Sequence, residues 1–151
     1  MASDRAWVAG SIGPTGACLA PVGRLSPGRA YAAFREQAEL MADEGVDLFL
    51  VETFASLAEL WQAVRAVRDV APGVPIVTCA SFVFSADGDL VEGPDPVQAA
   101  RTMQNWGVDA IGVNCSNGPK VVLDVLEQMA TATDLPLIMD AQSVLDVGCG
   151  T

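Results

Sequence analysis

Histidine is missing from all 151 residues. Its absence removes His-based triads, His zinc ligands and His proton shuttles together. Any catalysis falls to Cys, Asp, Glu, Tyr, Lys, backbone groups or a metal. Positive charge is scarce: 8 Lys and Arg stand against 19 Asp and Glu, for a net charge of −11. Nucleic acid and anionic membranes both reward clustered Lys and Arg, so neither is expected as a partner. Long apolar runs are also lacking, and none approaches the roughly 18 to 20 residues of a membrane span. The opening Met1-Ala2-Ser3-Asp4-Arg5 does not show the charged-then-apolar order of a secretory signal. A cytosolic (cytoplasmic) location is expected. Four cysteines, Cys18, Cys79, Cys115 and Cys149, are too widely spaced in this context to suggest a disulfide framework.

What the chain does have is apolar mass, 51% of it hydrophobic, and a repeated piece of local grammar. The length fits one domain. The clearest copy of the grammar is Gly107-Val108-Asp109-Ala110-Ile111-Gly112-Val113-Asn114-Cys115-Ser116-Asn117-Gly118-Pro119. Ala110 to Val113 is uncharged and bounded by turn residues, as a buried parallel strand should be. Asn114, Cys115 and Ser116 then place an amide, a thiol and a hydroxyl at its carboxyl end, where parallel α/β folds build their sites. Pro119 suits a first helical position.

Gly45-Val46-Asp47-Leu48-Phe49-Leu50-Val51-Glu52-Thr53 aligns with that stretch without a gap. Glu52 falls on Asn114 and Thr53 on Cys115. A weaker third copy, Gly73 to Ser81, puts Ala80 and Ser81 there. A repeated βα unit explains the pattern; polar residues at the tips turn it into a site hypothesis. If the strands are parallel neighbours, Glu52, Ser81, Asn114 and Cys115 share one end of a sheet.

In chain order, Ala6 to Gly10 reads as a short strand and Ser11 to Gly16 as a glycine-rich turn. That turn has neither Lys nor the G-x-G-x-x-G spacing, so it is not a phosphate loop. A loop-like segment leads to a helix over about 29–44, capped by Gly45. Ser56 with Glu59 forms a capping box for a helix reaching about Val70. A third strand covers about 75–80, and 85–93 reads as a polar turn. Asp95 and Pro96 open a helix to Trp106. The helix after Pro119 buries Val121, Val122, Val125, Leu126 and Met129, and Leu135 to Met139 is a fifth strand. The strict alternation predicts an α/β fold with a parallel sheet of about five βα units. An eight-unit barrel usually takes about 250 residues, so a partial barrel or an open sheet is expected. Residues 1–140 form the domain, and 141–151 form a divergent tail or junction.

The stretches Ala9-Gly10-Ser11-Ile12-Gly13-Pro14, Glu36-Gln37 with Gly45-Val46-Asp47, Val51-Glu52-Thr53-Phe54, Ser81-Phe82 and Gly112-Val113-Asn114-Cys115-Ser116 resemble the homocysteine S-methyltransferase family in order and spacing. This is the homocysteine-binding barrel of methionine synthases and betaine–homocysteine methyltransferases. The resemblance covers about 6–139. It implies a partial (β/α)8 TIM barrel and a zinc enzyme whose metal lets the homocysteine thiolate accept a methyl group to give methionine. In that family three cysteine thiolates hold zinc, and the first implied ligand here is Cys115. Glu52 would bind the substrate's amino group, and Asn114 would line the same pocket. The implied partners are homocysteine and a methyl donor: methyl-tetrahydrofolate through cobalamin, S-methylmethionine or betaine. Another domain or chain could complete the barrel.

The sequence departs from the family at its end. The family's Gly-Gly-Cys-Cys-Gly-Thr pair of ligands is represented by Val147-Gly148-Cys149-Gly150-Thr151, one cysteine short. Asp140-Ala141-Gln142 replaces the family's Asn-Ala-Gly. The tail Val144 to Thr151 also resembles the first motif of S-adenosylmethionine-dependent methyltransferases, where an apolar strand enters a glycine-rich turn. Two alternatives to a working methyltransferase therefore stand: a non-catalytic truncated barrel, and the front of a fusion with an S-adenosylmethionine enzyme. Residue by residue, Cys115 has the alternative of a buried structural cysteine. Glu52 has that of a carboxylate placed near a helix start.

Overall fold

The computed structural model describes residues 6–116 and 118–139. Among these residues seven strands and four helices follow one another: β1 (Ala9–Ile12), α1 (Pro27–Asp43), β2 (Leu48–Phe54), α2 (Leu57–Val70), β3 (Ile76–Ala80), β4 (Val83–Phe84), β5 (Leu90–Glu92), α3 (Pro96–Asn105), β6 (Ala110–Val113), α4 (Pro119–Ala130) and β7 (Leu137–Met139). Five strands form one sheet in the order β1-β2-β3-β6-β7, and every pairing in it is parallel. Among the described residues four βα units and a fifth parallel strand, β7, are present, and strand order follows chain order, as in a barrel wall.

Four sequence expectations need correction. The first strand is β1 at 9–12 rather than 6–10, so Ser11 lies in the sheet and the turn starts at Gly13. Its alternation of exposed Ala9 and Ser11 with buried Gly10 and Ile12 fits a strand. Helix α1 starts at Pro27, because the Ser26 hydroxyl caps the Arg29 N–H and Pro27 needs no donor. Only half of the expected capping box forms. Ser56 Oγ accepts from the Glu59 N–H at 3.4 Å, but the Glu59 carboxylate reaches the loop after β1 instead. The stretch 85–93 is not turn throughout: Leu90–Glu92 form β5, which pairs antiparallel with β4 just before it, and Ser85 to Asp89 make the turn between them.

The helices cover one face. Along each strand alternate residues face them: Ile12, Val51, Thr78 and Ile111 form one register row, and all four are buried. Thr78 Oγ1 meets the Met103 sulfur of α3 at 3.3 Å. Cys79 of β3 is wholly buried. The largest buried side chains, including Phe34, Phe49, Phe54, Phe82, Leu60 and Met129, lie in one core. Trp61 of α2 and Trp106 after α3 pack against each other with ring centroids 5.2 Å apart. Ser11, Leu50, Val77 and Ala110 form the neighbouring row and point to the opposite face. There Leu50 and Val77 are only half-buried.

Candidate functional site

The site lies at the carboxyl ends of β1, β2, β3 and β6. Two local irregularities create it. In β2 Val51 pairs with Thr78 but Phe54 pairs with Ala80. Two residues, Glu52 and Thr53, therefore stand opposite Cys79 alone. Such a bulge kinks a strand and re-aims its side chains. Thr53 and Cys115 also adopt left-handed backbone, with φ of 69° and 48°. For a β-branched residue this is a costly conformation, about 1–3 kcal/mol. These two residues occupy equivalent positions in the sequence repeat, so the repeat carries the same backbone kink twice.

Asn114 joins the two tips. It is 1% exposed, and its side chain reaches across the end of β3 to the tip of β2. Its Oδ1 accepts from the Thr53 N–H at 2.9 Å. Its Nδ2 donates to Thr53 Oγ1 at 2.7 Å and to Glu52 Oε2 at 3.1 Å. The Thr53 hydroxyl in turn donates to Cys115 Sγ at 3.8 Å. The other Glu52 oxygen, Oε1, accepts from Ser11 Oγ at 2.6 Å. Glu52 is 8% exposed, so its carboxylate is held from both sides at the edge of solvent. Ser81 Oγ donates to the Cys115 carbonyl at 3.1 Å, and Ser116 Oγ accepts from the Phe82 N–H at 3.2 Å. These bonds fix the turn after β6.

All four tip residues singled out in the sequence, Glu52, Ser81, Asn114 and Cys115, thus meet at one end of the sheet. Glu52 and Asn114 bond directly; Cys115 joins them through Thr53. Cys115 is exposed, which rules out the reading of a buried structural thiol. Sequence reasoning missed Ser11, because Gly-Ser-Ile-Gly has the composition of a turn. Ile12 was the available signal, since an isoleucine between glycines wants burial. It also missed Thr53 as a contact, although the alignment with Cys115 pointed to it. A third omission is the loop anchor: Glu59 Oε1 accepts from the Thr15 N–H at 2.8 Å and from Thr15 Oγ1 at 2.6 Å. This bond pins the loop after β1 to the first turn of α2. Beside it lies an open cavity of about 540 Å³, walled by Cys18, Pro21, Val22, Thr53 and Glu59 among others.

Among the described residues no group of three or more His, Cys, Asp or Glu could hold a metal ion. Zinc takes four protein ligands in structural sites and usually three in catalytic ones. Cys115 offers one, so the described residues do not by themselves fit a zinc ion. Cys149 lies outside the described residues. No described helix is long and apolar enough to cross a membrane.

Parallel βα units in sequential order, with polar side chains gathered at the carboxyl tips, define a barrel-type α/β enzyme fold. Solved structures agree on that fold. The homocysteine methyltransferase MmuM of Escherichia coli matches with a TM-score of 0.66 at 22% identity, over 88% of this chain and 48% of that one. An isomerase of Streptomyces coelicolor matches with a TM-score of 0.58 at 19% identity, over 87% and 32%. The homocysteine S-methyltransferase family model matches residues 1–148, and the chain belongs to that family. The methionine synthase of Mycobacterium tuberculosis is 30% identical over 135 residues, covering 87% of this chain and 11% of that protein. The betaine–homocysteine S-methyltransferase 1 of Sus scrofa is 31% identical over 124 residues, covering 82% of this chain and 42% of that protein. The chain thus spans less than half the length of each of these relatives.

Proposed function

We propose that this chain forms the amino-acid-holding part of a homocysteine S-methyltransferase barrel. The Glu52 carboxylate takes the ammonium group of homocysteine, and Asn114 holds that carboxylate and lines the pocket. Cys115 would supply one thiolate to a zinc ion, whose other donors would have to come from Cys149 or a further segment. A methyl donor then delivers its methyl group to the homocysteine sulfur. The observation that carries this reading is the buried carboxylate of Glu52, held on separate oxygens by Ser11 and Asn114. A carboxylate fixed in one plane at the end of a parallel sheet is suited to a cationic group. The exposed, kinked Cys115 at the adjacent tip supports the second half of the reading.

The metal assignment is tested on the purified chain and a Cys115→Ser variant, by measuring zinc per chain after dialysis. Whatever zinc the chain retains should be lost in the variant. Equal zinc in both proteins would overturn Cys115 as a donor.

A further inference from the structure

We infer that Ser11 is a second ammonium-binding residue, acting as a pair with Glu52. The inference rests on the homocysteine reading and names a contact within that site. Ser11 sits one residue before the end of β1, in register with Leu50 of β2. Its side chain therefore projects to the same side as Leu50 and meets Glu52, two residues further along β2. The hydroxyl is on the open side of the sheet and is exposed.

The chemistry follows from where its hydrogen goes. A serine hydroxyl has one donor and two acceptor lone pairs. The donor is committed to Glu52 Oε1 at 2.6 Å, a short, charge-assisted bond. What Ser11 presents to a ligand is then acceptor only. Asn114 does not compete for that ligand, because its Oδ1 is bonded to the Thr53 N–H and its Nδ2 to Thr53 and Glu52. A carboxylate and a polarised hydroxyl oxygen side by side favour a group rich in donors and repel one rich in acceptors. An ammonium has three donors; a carboxylate has none. The pair therefore orients an α-amino acid, drawing in its ammonium end and turning its carboxylate away.

The test titrates homocysteine and its des-amino analogue, 4-mercaptobutanoic acid, into the chain and into Ser11→Ala and Ser11→Thr, by calorimetry. Losing the hydroxyl should weaken homocysteine about tenfold, the scale of one hydrogen bond to a charged group. The des-amino analogue should bind the wild type and Ser11→Ala equally. Ser11→Thr keeps the hydroxyl and should stay within about threefold of wild type. A variant that was merely misfolded would lose both ligands, so the unchanged analogue reports on the contact itself. Homocysteine binding equally well to wild type and Ser11→Ala would overturn the role of Ser11 and leave the homocysteine reading intact. A wild-type chain that does not distinguish the two ligands would overturn both.

Discussion

Glu52→Gln should weaken homocysteine binding at least about thirtyfold, the loss expected when one partner of a partly desolvated charge pair is removed. Glutamine has the same shape, so packing is kept and the change is chemical. The negative charge is lost, and one of the two oxygens becomes an NH2 donor. In the native site both oxygens accept, one from Ser11 and one from Asn114. A glutamine must therefore turn its NH2 towards one of these donors. If it faces Asn114, two amide donors meet in a buried place; if it faces Ser11, the hydroxyl must rotate away. Either way the carboxamide is less well held and no longer attracts a cation. Calorimetry on the two proteins reads the effect. Homocysteine affinity within threefold of wild type would remove Glu52 from the ammonium site.

Gly112→Ala is expected to have the largest effect on stability. Gly112 lies in the middle of β6 and pairs with Cys79 on one side and Ile138 on the other. A Cβ there would overlap the Ile138 carbonyl oxygen and stand 2.6 Å from Ile138 Cγ1. The nearer atom is backbone, so a rotamer change cannot relieve the clash; β7 must move. Overpacking of this kind costs about 3 kcal/mol, which is about 6–12 °C in melting temperature for a chain of this size. Gly28→Ala is the matched control. Gly28 lies in the first turn of α1 with nothing within 4 Å of its added Cβ, and alanine there should stabilise by about 0.5–1 kcal/mol. Thermal melts of the two variants separate the readings. A Gly112→Ala melting temperature within 2 °C of wild type would show that β7 does not pack on β6 as described.

The fold was legible because buried parallel strands are apolar runs with marked ends. Ala110 to Val113 was read to the residue, and so was the Asp95-Pro96 start of α3. Glu52, Asn114 and Cys115 were legible as a candidate site because their family motifs stand at two strand tips, those of β2 and β6. What failed did so for physical reasons. Ser11 was hidden because Gly10 and Gly13 on either side give the stretch the look of a turn, and only pairing with β2 makes Ala9–Ile12 a strand. The β4–β5 pair was hidden because strands of two and three residues are too short to show an alternating period, and the polar turn between them dominates the stretch. Asn114 reaching over β3 to Thr53 could not be read at all. It depends on the kink in β2, which leaves no local sequence signal. The Glu59 capping box had the right residues, but a tertiary partner, Thr15, took the carboxylate.

The central claim is that this sheet end holds an amino acid by its ammonium group, and a crystal structure of the chain with homocysteine tests it most directly. The account predicts the homocysteine nitrogen within hydrogen-bonding distance of Glu52 and of Ser11 Oγ, with the thiol towards Cys115. Homocysteine seated instead in the cavity walled by Cys18, Pro21 and Val22, with its nitrogen away from Glu52, would contradict it.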